Sequence, residues 1–270
     1  MRAVVCLKQV IDPLTPASSL VVDEDATKIL TATNSPPVVN GFDEQALEAA
    51  LRLREKMGDL EIIALSLGDD FNVEVMKRAL AVGADELVLV QDASLDTWDS
   101  RYVGATLAAA VRYLGGADLV LCGRQASDWD NGLVPLVLAE ELDMPCLTLA
   151  KKLEIDGSHV RVERVLADGT QLMSAPLPAV VTVTSEFGEL RYPTLPARLA
   201  ATRRRPRQLR LADIAAPQRR TPPLDIRELT IPVTSRRCQL VEGPDDIAAG
   251  ARLAEVLLES GLVRVAGGRS

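Results

Sequence analysis

The feature that most limits the fold is a rhythm: from residue 3 to about residue 150, short β-favouring apolar runs alternate with longer stretches of helical period. Strands are expected at residues 3–7, 60–67, 86–90, 118–122 and 146–150. In residues 42–56, Phe42, Ala46, Leu47, Ala50 and Leu51 share one helix face, and Asp43 and Glu44 occupy the first turn, where negative charge suits the helix dipole. Residues 73–82 and 102–114 each run to a glycine stop, and residues 133–142 form the fourth helical stretch. Strands that alternate with helices imply βαβ units, parallel strands and right-handed crossovers. The expected fold class is therefore α/β, with a doubly wound, mainly parallel sheet.

After Lys151 the pattern changes. Residues 152–155, 160–165, 171–174 and 179–184 read as further strands, with turns at Asp156-Gly157 and Asp168-Gly169, and are expected to extend or flank the sheet. From Arg203 to Pro232 the chain is rich in Arg and Pro and cannot build a core of its own. It reads as an extended arm, followed by an amphipathic helix over 245–260. The expected division is an α/β domain at 1–202 and the arm with its helix at 203–270.

The formal charge of −8 argues against a nucleic-acid surface, which needs a basic face. Aromatic residues make up 3% of the chain, which argues against a base-stacking platform. The arginines between 203 and 220 then read as a solvated arm or a partner-docking surface. Of the cysteines, Cys6, Cys122 and Cys146 lie in apolar runs and read as buried thiols of a reducing compartment, and no pair has the Cys-x-x-Cys spacing. The single histidine, His159, fits a surface strand position. No apolar run reaches membrane-spanning length, and the first strand follows Met1 directly, so a cytoplasmic protein without membrane insertion is expected.

In a doubly wound sheet, ligands bind at the carboxyl ends of the strands where the strand order reverses. With five strands in the order 3-2-1-4-5, that point lies between strands one and four. It brings together Leu7-Lys8-Gln9 and the glycine-led loop Gly123-Arg124-Gln125-Ala126-Ser127-Asp128. Backbone N–H groups around Asn131, Gly132, Leu133 and Val134 would face an anion at the following helix start. On residues alone, the loop is either such a cradle or a solvated connection. Neither a Gly-x-Gly-x-x-Gly fingerprint nor a Walker-type Gly-Lys-Ser/Thr is present. Asp128 and Asp130 would repel phosphate and suit ribose hydroxyls or backbone donors instead. No partner nucleophile accompanies them, which disfavours a dehydrogenase or a kinase.

Four segments then carry a resemblance. Lys8-Gln9-Val10-Ile11-Asp12 is similar to K-x-V-x-D, and Asn40-Gly41-Phe42-Asp43-Glu44-Gln45-Ala46 is similar to N-P-F-D-E-x-A. Residues 118–128 are similar to D-L-V-L-x-G-K/R-Q-A-x-D. The fourth region runs from Val162-Glu163-Arg164 through Asp168-Gly169 and Leu177-Pro178-Ala179 to Arg191-Tyr192-Pro193-Thr194-Leu195-Pro196, close to R-Y-x-T-L-P. In this order and spacing, over about three-quarters of the chain, they resemble the beta-subunit family of electron-transfer flavoproteins.

The resemblance implies a Rossmann-like, adenine-nucleotide-binding domain that pairs with a larger alpha subunit. FAD would sit mainly on that subunit, and an AMP of structural role would lie in the beta subunit. Nucleotide contacts would come from Cys6, Asn40, Gly41, Phe42, Asp43 and Leu67. Others would come from Gly123, Arg124, Gln125, Ala126, Ser127, Asp128, Asn131, Gly132, Leu133 and Val134, with Phe42 near the flavin. Leu195 would be an exposed anchor for redox partners, dehydrogenases on the donor side and quinone-reductase-type proteins on the acceptor side. The chain would carry electrons and not be an enzyme by itself, with its arm and last helix packed on the partner subunit. It departs from the family at Leu133-Val134-Pro135, Ala167 and Pro13. Because Val134 offers no hydroxyl, AMP is expected to be held more loosely, with a second FAD as the secondary occupant. A stand-alone adenine-nucleotide-binding regulatory module is the alternative; the long arm argues against it.

Overall fold

The computed structural model describes all residues except 24–28, 32–35, 96, 218–225, 232–237 and 264–270. Its first compact unit, Met1–Thr230, begins with strand β1 (Arg2–Leu7), buried from Ala3 to Leu7, and helix α1 (Gly41–Met57). Then come β2 (Glu61–Gly68), the short helices α2 (Val73–Met76) and α3 (Arg78–Val82), and β3 (Glu86–Gln91). Helix α4 (Ser100–Tyr113), β4 (Leu119–Gly123) and α5 (Val134–Leu142) complete the alternating part. The stretch expected as one helix over 73–82 is thus divided at Lys77.

Strands β5 (Cys146–Asp156), β6 (His159–Leu166) and β7 (Gly169–Pro176) form an antiparallel meander. The chain then returns as β8 (Ala179–Val183), helix α6 (Leu195–Arg203) and the short β9 (Arg207–Leu209). The nine-stranded sheet has the order β7-β6-β5-β8-β4-β1-β2-β3-β9, and the seven strands from β5 to β9 are parallel. The doubly wound α/β class is as expected. Two details of the strand order differ: β8 lies between β4 and the strand that starts at Cys146, and β9 adds an edge beside β3.

Alternation along the strands decides the two layers. Ala3, Val5 and Leu7 of β1 pack with Ala46, Leu47 and Ala50 of α1 on one face. Val4 and Cys6 pack with Leu107, Ala108 and Val111 of α4 and Leu138 of α5 on the other. The strand order reverses between β1 and β4, as the alternating pattern predicts.

The compact units divide after Thr230, and β9 within the first unit pairs with β3 and buries Leu209. Arg207 also lies over the Tyr113 ring at 5.3 Å, so the arginine-rich stretch, which starts at the end of α6, joins the sheet at Arg207–Leu209. Part of the expected arm, including Pro222 and Pro223, lies outside the described residues. In the second unit, 231–270, helix α7 (Asp246–Glu259) has no buried residue and leaves Ile247, Leu253 and Leu258 exposed. No helix among the described residues is long and apolar enough to cross a membrane.

Candidate functional site

A cavity opens at the carboxyl ends of β1, β2 and β4, where the sheet order reverses. Its floor is apolar, with Cys6, Leu67, Cys122, Val103 and Leu107, and its rim carries Lys8, Asp43, Gln125 and Asn131. One carboxylate builds the place. Asp43, in the first turn of α1, is 8% exposed and accepts the Lys8 N–H at 2.8 Å and the Gly123 N–H at 3.0 Å. It thereby joins the end of β1 to the end of β4 across the switch point. Burial pushes its carboxyl up to about 7, against the pull of Asn40, of these two N–H donors and of the Lys8 charge.

Asn40 does the same for the loop. It is 1% exposed, its Nδ2 donates to the Gln125 carbonyl at 2.9 Å, and its Oδ1 accepts the Ser127 N–H at 3.2 Å. Gly123 has no room for a side chain: a Cβ there would lie 2.5 Å from Asp43 Oδ1 and 2.7 Å from the Phe42 main chain. The Arg124 guanidinium lies over the Phe42 ring at 4.6 Å. At the rim Lys8 Nζ pairs with Asp128 at 2.7 Å, and Gln125 Nε2 donates to Asp130 at 2.6 Å. Asn131 Nδ2 reaches Ser100 Oγ on α4 at 3.2 Å.

The residues expected at the site fall into two groups. Cys6, Asp43, Leu67, Gly123, Gln125, Ala126, Asn131, Gly132 and Val134 line the cavity. Asn40, Gly41, Phe42, Arg124, Ser127, Asp128 and Leu133 do not. Of these, Asn40, Ser127 and Asp128 hold the loop in place, while Gly41 and Leu133 are exposed. Leu195 stands apart as the first residue of α6, 66% exposed, with Tyr192 and Leu199 also exposed near it. A hydrogen bond with Cys6, followed by burial, pushes Cys122 well above the ordinary thiol range, and burial pushes Cys146 up to about 11. Cys146 is half-buried, not fully buried as expected, and Cys238 is exposed.

The electron transfer flavoprotein domain model matches residues 28–213, which include most of the cavity and the Leu195 segment. The chain belongs to the electron transfer flavoprotein family. It is 33% identical over 222 residues to the electron transfer flavoprotein subunit beta of Megasphaera elsdenii, covering 80% of each chain. Identity to the subunit beta of Thermoanaerobacterium thermosaccharolyticum is 35% over 195 residues, 72% of each chain. Subunit CarD of the caffeyl-CoA reductase-Etf complex of Acetobacterium woodii is 33% identical over 192 residues, 71% of each chain. The chain is accordingly the beta subunit of an electron transfer flavoprotein, a family whose name implies a flavin and a partner subunit.

Within this beta subunit, sequence reasoning missed part of the cavity wall: Thr97, Ser100, Val103, Leu107 and Cys122. Val103 and Leu107 are four apart on α4, a spacing that also fits an ordinary core face. Pro135 is buried in the first turn of α5, where proline is tolerated because the missing N–H has no intrahelical acceptor.

Proposed function

We propose that this beta subunit pairs with an alpha subunit that carries most of the FAD contacts, and that its own cavity takes AMP. The observation that carries the nucleotide reading is the Asp43–Gly123 junction. It leaves a side-chain-free strand end beside the start of α5, where unpaired helical N–H groups favour an anion. The residues fit a ligand of this kind. Gly123 leaves the end of β4 free of a side chain, and Lys8, Gln125 and Asn131 supply polar groups in the lining. Gly132, Leu133 and Val134 would face the phosphate, and Asn131 and Gln125 would face the sugar. When bound, FAD supplies the electron-accepting chemistry; this chain's part is to hold Phe42 and Arg124 at the face where the partner would meet it.

Leu195 is read as the anchor for a dehydrogenase donor, with electrons passed on to a quinone-reductase-type acceptor. An exposed leucine alone is ordinary; Tyr192 and Leu199, close to it in the chain, are exposed as well. Helix α7, with three large apolar side chains exposed, suits a helix that packs on the partner subunit. The arm and α7 are assigned to that contact. The test is reconstitution. The chain purified alone is expected to be colourless, and mixing it with its alpha partner is expected to give a yellow heterodimer. A stable, fully flavinated isolated chain would overturn the assignment.

A further inference from the structure

The chain has two tryptophans, and they meet beside the cavity. Trp129 lines it; Trp98 lies against Trp129, with ring centroids 4.1 Å apart and ring planes at 78°. They arrive on different loops, Trp98 just before α4 and Trp129 between β4 and α5. Both are half-buried, so neither is a core side chain of the sheet.

The two loops are fixed. Asp99, next to Trp98, is 2% exposed and caps α4 by accepting the Arg101 N–H at 3.0 Å. The turn that carries Trp129 is closed by the Asp130 N–H on the Ala126 carbonyl at 2.9 Å, and Asn131 ties it to Ser100 of α4. An edge-to-face pair held from both sides is a firm wall.

Charge sets which end of a ligand meets that wall. Asp128 and Asp130 flank Trp129, so an anion is disfavoured beside the indole. The unpaired N–H groups at the start of α5 favour the anion instead. The uncharged end of a nucleotide is left facing Trp129 and the apolar floor of Cys6, Leu67 and Leu107.

We propose that Trp129, buttressed by Trp98, is the surface on which the base of the bound nucleotide stacks. The cavity then selects an aromatic base in addition to an anion. This inference rests on the nucleotide reading above and adds to it a residue that determines specificity. Base–aromatic stacking of ordinary strength corresponds to roughly a five- to hundredfold difference in affinity.

The test uses the full-length chain, stripped of bound nucleotide with charcoal and titrated by calorimetry and intrinsic fluorescence. The probes are AMP and ribose 5-phosphate, which lacks the base. Because Trp129 lines the cavity and Trp98 packs against it, AMP is expected to change the fluorescence, whereas ribose 5-phosphate is expected to bind at least about tenfold more weakly and change it little. Trp129→Leu should weaken AMP roughly tenfold or more and leave ribose 5-phosphate unaffected, and Trp129→Phe should recover most of the loss. If the wild-type chain binds neither probe, the nucleotide reading itself fails, and the inference with it. If AMP binds but Trp129→Leu holds it as tightly as the wild type, stacking fails while the nucleotide site stands. Should Trp129→Leu not fold, equal affinity of the wild type for the two probes is the overturning result, and a clear preference for AMP with a fluorescence change is the supporting one.

Discussion

Replacing Glu48 by glutamine is the sharpest test of how the Leu195 segment is held. Glu48 lies on α1, five residues after Asp43, and is 3% exposed. Its carboxylate accepts Arg52 Nε at 2.8 Å and three donors of Arg191: the N–H at 3.1 Å, Nε at 3.0 Å and Nη2 at 2.9 Å. Arg191 Nη1 also bonds Glu55. Arg191 begins the stretch that leads through Tyr192 to Leu195, so this cluster fastens that stretch to the helix that shapes the cavity. An amide keeps the shape but turns an N–H₂ toward guanidinium donors. Breaking a buried pair costs about 3–5 kcal/mol. The side chains of Arg191 and Arg52 are 35% and 44% exposed, so water takes up part of the released donors. That discount leaves about 2–3 kcal/mol.

The pH dependence has a definite sign. Burial pushes the Glu48 carboxyl up, but the hydrogen bonds from Arg191 and Arg52 outweigh it and hold it below the ordinary value of 4.5. A depressed folded-state value gives stability that is present above the unfolded value and lost as pH falls through the folded one. Urea denaturation followed by circular dichroism should therefore separate wild type from Glu48→Gln by about 2–3 kcal/mol at neutral pH, and by less in acid. A neutral-pH difference below about 0.5 kcal/mol, the range of an ordinary surface change, would refute this. So would a gap that widens in acid.

At Gly123, alanine would press into Asp43 and the main chain of Phe42, neither of which can yield. The expected cost is about 1–3 kcal/mol or more in urea, with loss of AMP binding; a wild-type midpoint would contradict the junction described above. Leu195→Ala should raise the KM for the dehydrogenase donor about five- to hundredfold and leave the stability and flavin spectrum of the heterodimer unchanged. Unaltered kinetics over a range of donor concentrations would make Leu195 an ordinary surface leucine.

The parts of the molecule legible in the sequence are those set by local periodicity. The alternation up to residue 150 gave five strands, the first four of them in the expected order, and it located the reversal between β1 and β4. The insertion of β8 beside β4 was not legible, because the meander of β5, β6 and β7 fixes it through pairings far apart in sequence. The edge strand β9 was hidden by its composition, since only Leu209 is buried among its three residues. Helix α6 did leave a signal. Thr194 caps it by accepting the Ala197 N–H, and Pro196 stands in its first turn, a known helix start.

At the site, the motifs supplied Asp43, Gly123 and the loop, but not the roles of Asn40 and Asp43 as bridges between segments about 80 residues apart. Low aromatic content argued against stacking, yet the tryptophans at 98 and 129 meet. Average composition does not register which few side chains converge.

The most direct test of the central claim is the small-molecule content of the purified heterodimer after acid denaturation and chromatography. AMP and FAD are expected in equal amounts, each in proportion to protein. FAD alone, even when AMP is supplied throughout purification, or two FAD and no AMP, would contradict the assignment of the cavity behind Gly123 to AMP.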